Sequence, residues 1–394
     1  MGDGKCDLSF FSNLAMSEGA RVTRSSSSGK RSEPSETSTA KQPPLKKAST
    51  ENLLSEYTLF GIENPLLDIS AVVTPELLAK YEVKSNDAIL ADEKHKPLYA
   101  DLVNNFDVSY SAGGAAQNTL RGAQWLLPPK STVYVGAVGK DENADKLREV
   151  AKDEGLRTEY QISEDTPTGV CGVLITGHER SLVTDLQAAN TYKVSHLQSK
   201  EIWSLVENAN YFYVGGFFLT VSPESANLIA KYAAAHDKMF TMNLSAPFIS
   251  QFFKDPLDAL APYWDIVFGN EAEAIAYSES HDLKLTNISE IAAHISKLPK
   301  ENSKRQRTVV ITQGAEPTLV AIDGVVTEYP VVAVNSTKIV DTNGAGDAFV
   351  GGYLAGLVLG KDIAECVRAG QYVASEVIQQ SGPTYPKIKN FEFK

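Results

Sequence analysis

The chain has no run of about 18 consecutive apolar residues, so its sequence predicts no membrane-spanning helix. Cysteine is scarce. Cys6, Cys171 and Cys366 are odd in number and widely spaced, which fits a reducing compartment better than a disulfide framework. The six histidines show no zinc-ligand spacing. Positive charge is also in deficit. The net charge is −12, and the first 50 residues hold 8 Lys and Arg against 5 Asp and Glu, so the rest of the chain carries −15. An acidic body argues against nucleic-acid binding, though it still allows a local phosphate pocket. Three phosphate-handling signatures are missing. There is no G-x-x-x-x-G-K-[ST] loop and no protein-kinase signature set, and Phe349 stands where a dinucleotide fingerprint beginning at Gly344 needs its third glycine.

What is present begins with a tail. Residues 1–55 hold Ser25–Ser28, Pro43-Pro44 and Lys46-Lys47 with few aromatics, a composition expected to stay disordered. Met16 is a possible second start. Pro43-Pro-Leu-Lys-Lys reads either as a solubilising stretch or as a weak nuclear signal, so a cytoplasmic location, with nuclear access as the further option, is expected.

The body, residues 56–394, alternates strands and helices. Expected strands include 57–62, 69–73, 108–110, 132–138, 211–214, 239–243, 266–268, 309–312 and 319–322. Expected helices include 75–81, 93–104, one opened by Gly113-Gly114 and running to about 126, 142–154, 223–236, 247–253 and one from Glu271. Apolar runs such as Ile266-Val267-Phe268 and Val309-Val310-Ile311 suit strands buried on both faces. This pattern predicts an α/β fold with a mainly parallel central sheet between helices. Early strands and the 169–184 pair would form a smaller α/β lid, built from about 60–112 and 168–190. Ligands are expected between the two parts, at the strand ends.

The most informative segment is Lys338–Gly352, KIVDTNGAGDAFVGG. It reads as a strand at Ile339-Val340, a turn at Gly344-Ala345-Gly346 and a helix opening with Asp347. Free N–H groups and the positive helix end would make an anion site there. Asp347 is expected to be ionised at neutral pH in that field and to hold a hydroxyl beside a phosphoryl group. Asn270 and Glu273 admit two readings, a helix capping box or a Mg²⁺ site on nucleotide phosphates. Thr312-Gln313-Gly314 ends a buried strand, either as a turn or as a nucleotide wall. Gly113-Gly114 opens a helix that carries Asn118, where either tight packing or contact with a polyol is possible. Asp68, near the Asn64-Pro65 break, could accept two ribose hydroxyls or make an Asx turn. Phe217-Phe218 and Phe248 follow strand ends and either stack on a planar base or fill the core.

Taken together, these segments resemble the ribokinase-like family of sugar and nucleoside kinases. DTNGAGDAFVGG (341–352) is similar to its C-terminal signature, and AGGAAQN (112–118) with VGAVGKD (135–141) to its N-terminal one. NPLLDISAVV (64–73), GFFLTVSPES (216–225), NLSAPFISQF (243–252) and FGNEAEA (268–274) resemble its adenosine-phosphorylating branch. The resemblance covers about residues 57–386 and implies a three-layer sandwich with a lid. It also implies MgATP-dependent transfer to the 5′-hydroxyl of adenosine, giving AMP and ADP, in a monomer. By position it implies Asp347 as base and Gly344, Ala345 and Gly346 as anion hole, with Arg180 as a lid arginine near the phosphate. The ribose contacts fall on Asp68, Gly114 and Asn118. Asn64 falls in the nucleoside pocket, and Leu90, Cys171, Leu186, Phe218 and Phe248 in the adenine slot. ATP contacts fall on Asn243, Asn270, Thr312, Gly314 and Asn343, and Glu273 organises Mg²⁺. Ala88, Ala115 and Ala144 depart from the pattern, where Gln, Ser and Gly are frequent. The first two leave the strictness for adenosine over other nucleosides open, and a second reading keeps the fold with another purine nucleoside or a free sugar as substrate. A silent nucleoside-binding protein is the reading from another class.

Overall fold

The computed structural model describes residues 54–177 and 179–394; the expectations for the tail lie almost wholly outside them. Among the described residues fourteen strands follow in chain order: β1 (Leu59–Ile62), β2 (Leu66–Val72), β3 (Ala88–Leu90), β4 (Val108–Gly113), β5 (Thr132–Gly139), β6 (Arg157–Ser163), β7 (Val170–Thr176), β8 (Glu179–Asp185), β9 (Tyr211–Gly215), β10 (Met239–Asn243), β11 (Ile266–Asn270), β12 (Thr308–Gln313), β13 (Glu316–Ile322) and β14 (Val325–Tyr329). Nine form one sheet in the order β14-β13-β12-β11-β10-β9-β1-β5-β6, and five form a second in the order β3-β8-β7-β2-β4. In the large sheet β12 through β6 pair in parallel, while β13 and β14 add an antiparallel edge.

Period-2 alternation divides the large sheet's side chains between two cores. Phe60, Ile62, Phe212, Val214, Val309 and Ile311 point into one. Leu59, Tyr213 and Val310, their neighbours in sequence, point into the other. Both faces therefore need helices. One layer includes Pro223–Ala235, Glu271–Ser280 and Ile288–Ser296; the opposite layer has Ala115–Leu126, Ala345–Val358 and Ile363–Val377. The result is a three-layer α/β sandwich. Among the described residues no helix is long and apolar enough to cross a membrane.

Two of those helices position the site. A Cβ on Gly351 would lie 2.5 Å from the carbonyl oxygen of Thr119, closer than any real contact. Glycine there lets Ala345–Val358 rest backbone to backbone on Ala115–Leu126. The first turns of the two helices are thereby brought together.

Three expectations change. Ile339-Val340 is not a strand: it follows the short 3₁₀ turn Ser336–Lys338, with Val340 56% exposed and its N–H bonded to the carbonyl of Ile378 at 2.8 Å. Strand preference needs a partner strand and a face to pack, and this segment has neither. The first strand, β1, belongs to the large sheet, so the smaller sheet begins at β2. β6 was not expected, because RTEYQIS carries little apolar pattern and sits at the sheet's outer edge.

Candidate active site

The parallel strands β1, β9, β10, β11 and β12 end on one side of the sheet. From β1 the chain runs through Glu63, Asn64 and Pro65 straight into β2 of the smaller sheet. A cavity of about 650 Å³ lies where the two sheets meet.

One end of this cavity is polar, with Asp68, Gly114, Asn118, Asn343 and Asp347. Asp347 sits in the first turn of Ala345–Val358, after Gly344 at φ +76°, a backbone conformation that glycine adopts without strain. Asn118 Nδ2 donates to Asp347 Oδ2 at 3.1 Å. The small exposed part of Asp347 opens into the cavity. Enclosure raises its pKa to about 7, against the lowering effects of the Asn118 hydrogen bond and the Arg121 charge. Desolvation therefore works against the full ionisation expected of Asp347 at neutral pH. Burial likewise lifts Asp68, 5% exposed, to about 7.

The other end is an apolar slot. Leu90, Cys171 and Leu186 line it, with Phe217 and Phe248, whose ring centroids are 5.9 Å apart. Asn64 stands beside it and donates from Nδ2 to the Phe217 carbonyl at 3.3 Å. Phe218 does not line the slot. It is fully buried in the core with its ring edge on Tyr192. The 3₁₀ turn Gly216–Thr220 after β9 rotates successive side chains by about 120°, so Phe217 faces the cavity and Phe218 the interior. Ala88 and Ala115 also line the cavity, so two of the three departures from the family pattern fall on its wall, while Ala144 is buried in the core.

Beyond the start of Ala345–Val358 lie two more cavities. One, of about 300 Å³, is bordered by Asn243, Asn270, Glu273, Thr312 and Gly346. The other, of about 1030 Å³, shares Thr312, Gly346 and Phe349 with it and extends past Gly314 to the Val331–Val334 segment. Four of the five residues expected to hold ATP thus fall on these two cavities. Asn343 lies instead on the first. Of the expected anion-hole groups, Gly346 faces both outer cavities, whereas the Ala345 N–H is taken up by the Thr342 carbonyl at 3.2 Å.

Glu273 closes a capping box. The Asn270 side chain accepts from the Glu273 N–H at 2.9 Å, and Glu273 Oε2 accepts from the Asn270 N–H at 3.1 Å. Burial raises its pKa to about 7. A Mg²⁺ ion held mainly by phosphates and water asks for only one or two protein carboxylates. Glu273 fits that demand as the one acid among the described residues that border the 300 Å³ cavity, where its carboxylate is engaged by Asn270. Among the described residues no three His, Cys, Asp or Glu side chains cluster as a metal cage. Arg180, on β8, lines none of these cavities: its Nε donates to Asp341 Oδ1 at 2.8 Å, and Asp341 also receives the Asn343 N–H at 2.8 Å.

Glu63 escaped the sequence reading. It follows β1 directly, lines the first cavity, and its Oε2 accepts from the Ala116 N–H at 2.8 Å. Its pKa is pushed up to about 8, by burial above all. The available signal was a lone acid at the end of an apolar central strand.

Against known proteins, residues 75–390 match the pfkB family of carbohydrate kinases. Adenosine kinase 2 of Arabidopsis thaliana is 52% identical over 334 residues, spanning 84% of this chain and 97% of that protein. Adenosine kinase of Schizosaccharomyces pombe is 51% identical over 338 residues, 85% and 98% of the two chains. Among solved structures, Anopheles gambiae adenosine kinase in complex with P1,P4-di(adenosine-5) tetraphosphate superposes with a TM-score of 0.81 at 48% identity, over 84% of this chain and 97% of that one. Schistosoma mansoni adenosine kinase with adenosine in an occluded loop conformation gives 0.81 at 36% identity, over 85% and 98%. With this match running through both sheets and the segment around Asp347, the chain belongs to the pfkB family of carbohydrate kinases.

Proposed function

We propose that the protein is an adenosine kinase, an ATP-dependent enzyme that transfers the γ-phosphate of ATP to the 5′-hydroxyl of adenosine and releases AMP and ADP. One observation carries this reading. Asp347 borders a cavity with an aromatic slot and a polar end, while Gly346, its neighbour, borders two further cavities on the far side. The Anopheles protein's ligand has the matching form, two adenosines joined through phosphates.

Adenine lies in the slot against the Phe217 and Phe248 rings. Asp68, Asn118 and the Gly114 backbone take the ribose hydroxyls, leaving the 5′-hydroxyl at Asp347. ATP lies along Asn243, Asn270, Thr312 and Gly314. The transition state of phosphoryl transfer is loose, so alignment and charge stabilisation supply most of the acceleration. Asp347 orients the hydroxyl and accepts its proton late in the step. A pKa of about 7 suits that task, since a base works best near the ambient pH. The N–H of Gly346 meets the growing charge on the phosphoryl oxygens. Mg²⁺, when bound beside Glu273 through water, would neutralise charge on the phosphates. The smaller sheet acts as a lid, and Arg180 reaches the phosphates only by exchanging Asp341 for them. The chain works as a monomer. Two free, buried cysteines support a reducing compartment, the cytoplasm first and the nucleus as a further site.

The deciding experiment measures ADP formation with adenosine, inosine, guanosine and ribose. Adenosine is expected to be the preferred acceptor. Turnover with ribose and none with adenosine would overturn the reading.

A further inference from the structure

We propose that Arg121, which lines none of the three cavities, is a positioning residue for phosphoryl transfer: it dictates which end of the Asn118 side chain meets Asp347. The inference rests on the adenosine kinase reading and extends it.

Asn118 sits between two partners. Its Oδ1 accepts from an Arg121 terminal nitrogen at 3.1 Å, and its Nδ2 donates to Asp347 Oδ2 at 3.1 Å. An amide can turn either end toward a carboxyl group. With its NH₂ forward it serves a carboxylate, and with its oxygen forward it serves a protonated acid. Arginine removes that freedom, because it has five donors, no acceptor, and keeps its proton inside proteins. Turning the Asn118 NH₂ toward Arg121 would set donor against donor in a buried place, which costs the desolvation of both groups. The amide is therefore locked with NH₂ facing Asp347, and that orientation favours the ionised base.

Arg121 is itself fixed. It is 3% exposed. The nitrogen that serves Asn118 also donates to the Ala112 carbonyl at 3.1 Å, and the other edge of the guanidinium pairs with Glu154, with one contact at 2.8 Å. The Tyr385 ring lies 5.5 Å away, and the Tyr385 hydroxyl donates to the Asn118 carbonyl at 2.7 Å. A rigid, desolvated cation acts strongly on its neighbours.

Those neighbours need it. The groups that face Asp347 from the surrounding elements are Glu63 after β1, Asp68 on β2, Tyr213 on β9, Glu273 on the 271–280 helix and Tyr385 near the C-terminus. All are acids or phenols. Arg121 is the cation that pulls down both Asp347 and Asp68, while Arg180 is occupied with Asp341.

The test is the pH profile of kcat/KM for adenosine at saturating MgATP, measured for wild type, R121M, R121K and E154Q. Thermal melting checks that each variant folds. In R121M the acid limb should move up by about one pH unit or more, the scale of losing a nearby opposite charge. Its loss of activity should then be roughly tenfold greater on the acid side than on the alkaline side. R121K keeps a charged donor and should restore the wild-type limb. E154Q removes the counter-ion at its more exposed end and should move the limb down. The proposal is overturned if R121M leaves the limb in place and loses activity equally at every pH, or if, where R121M does not fold, E154Q leaves it in place. A wild type with no adenosine-dependent ADP formation would instead sink the activity itself.

Discussion

Phe217 and Phe218 are adjacent in sequence and opposite in surroundings, so replacing each with alanine separates the slot from the core. Phe218 is fully buried against Tyr192. Its truncation leaves a cavity and should cost about 3–5 kcal/mol. A described body of some 340 residues unfolds with an entropy near 0.7 kcal/mol per kelvin, so the melting temperature should fall by roughly 4–7 °C. The KM for adenosine should stay within about twofold of wild type, because the side chain never reaches the cavity. Phe217 is half-buried and packs beside Phe248 on the slot wall. Losing one stacking face costs about 1–3 kcal/mol, or roughly 5- to 150-fold in KM, with a much smaller change in melting. Adenosine titrations in an ADP-coupled assay, alongside thermal melts, measure both quantities. If F218A raised KM without lowering the melting temperature, or F217A left KM unchanged, the assignment of the two rings would be wrong.

Other perturbations reach the remaining parts of the site. Asp347→Asn should lower kcat by about 10²-fold or more, since the amide cannot take the proton, while calorimetry should show adenosine affinity nearly intact. Wild-type turnover would remove this residue from the chemistry. In stability, Glu63, Asp68 and Asp347 have pKa values raised to about 8, 7 and 7. The folded state therefore keeps protons that the unfolded chain releases near pH 4, and this contribution fades as pH rises toward 8. Ligand-free enzyme should melt lower at about pH 8 than at about pH 5.5, and the opposite order would contradict the enclosure of these acids. Glu365, lowered to about 2 by Arg368, acts only at more acidic pH and does not blur the comparison. Glu273→Gln can keep the capping box. It should raise the Mg²⁺ concentration for half-maximal rate by roughly tenfold, whereas an unshifted Mg²⁺ titration would place the ion elsewhere.

The sequence conveyed the central strands well, because strands buried on both faces need unbroken apolar runs. Helix starts were legible for local reasons: Pro75, Pro223 and Pro247 stand in first turns, and Asp141 and Asn270 cap theirs. What was lost depended on depth or on the last turn of chain. Ile339-Val340 has strand composition but no partner strand. Phe217 and Phe218 are chemically identical, and only the 3₁₀ turn distinguishes them. The helix N-terminus at Asp347 could be read from Gly-Ala-Gly, but the enclosure that sets its protonation could not. Arg121 looked like an ordinary helix residue because its partners, Asn118, Ala112 and Glu154, come together only when three elements pack.

The passage from β1 to β2 takes only Glu63, Asn64 and Pro65. Two of these three line the nucleoside cavity, and Asp68 follows three residues later. This link between the two sheets thus carries side chains of the cavity wall itself. Any tilt of the smaller sheet would therefore carry part of that wall with it. If the lid proposed above closes, acceptor binding and closure would then be one mechanical act.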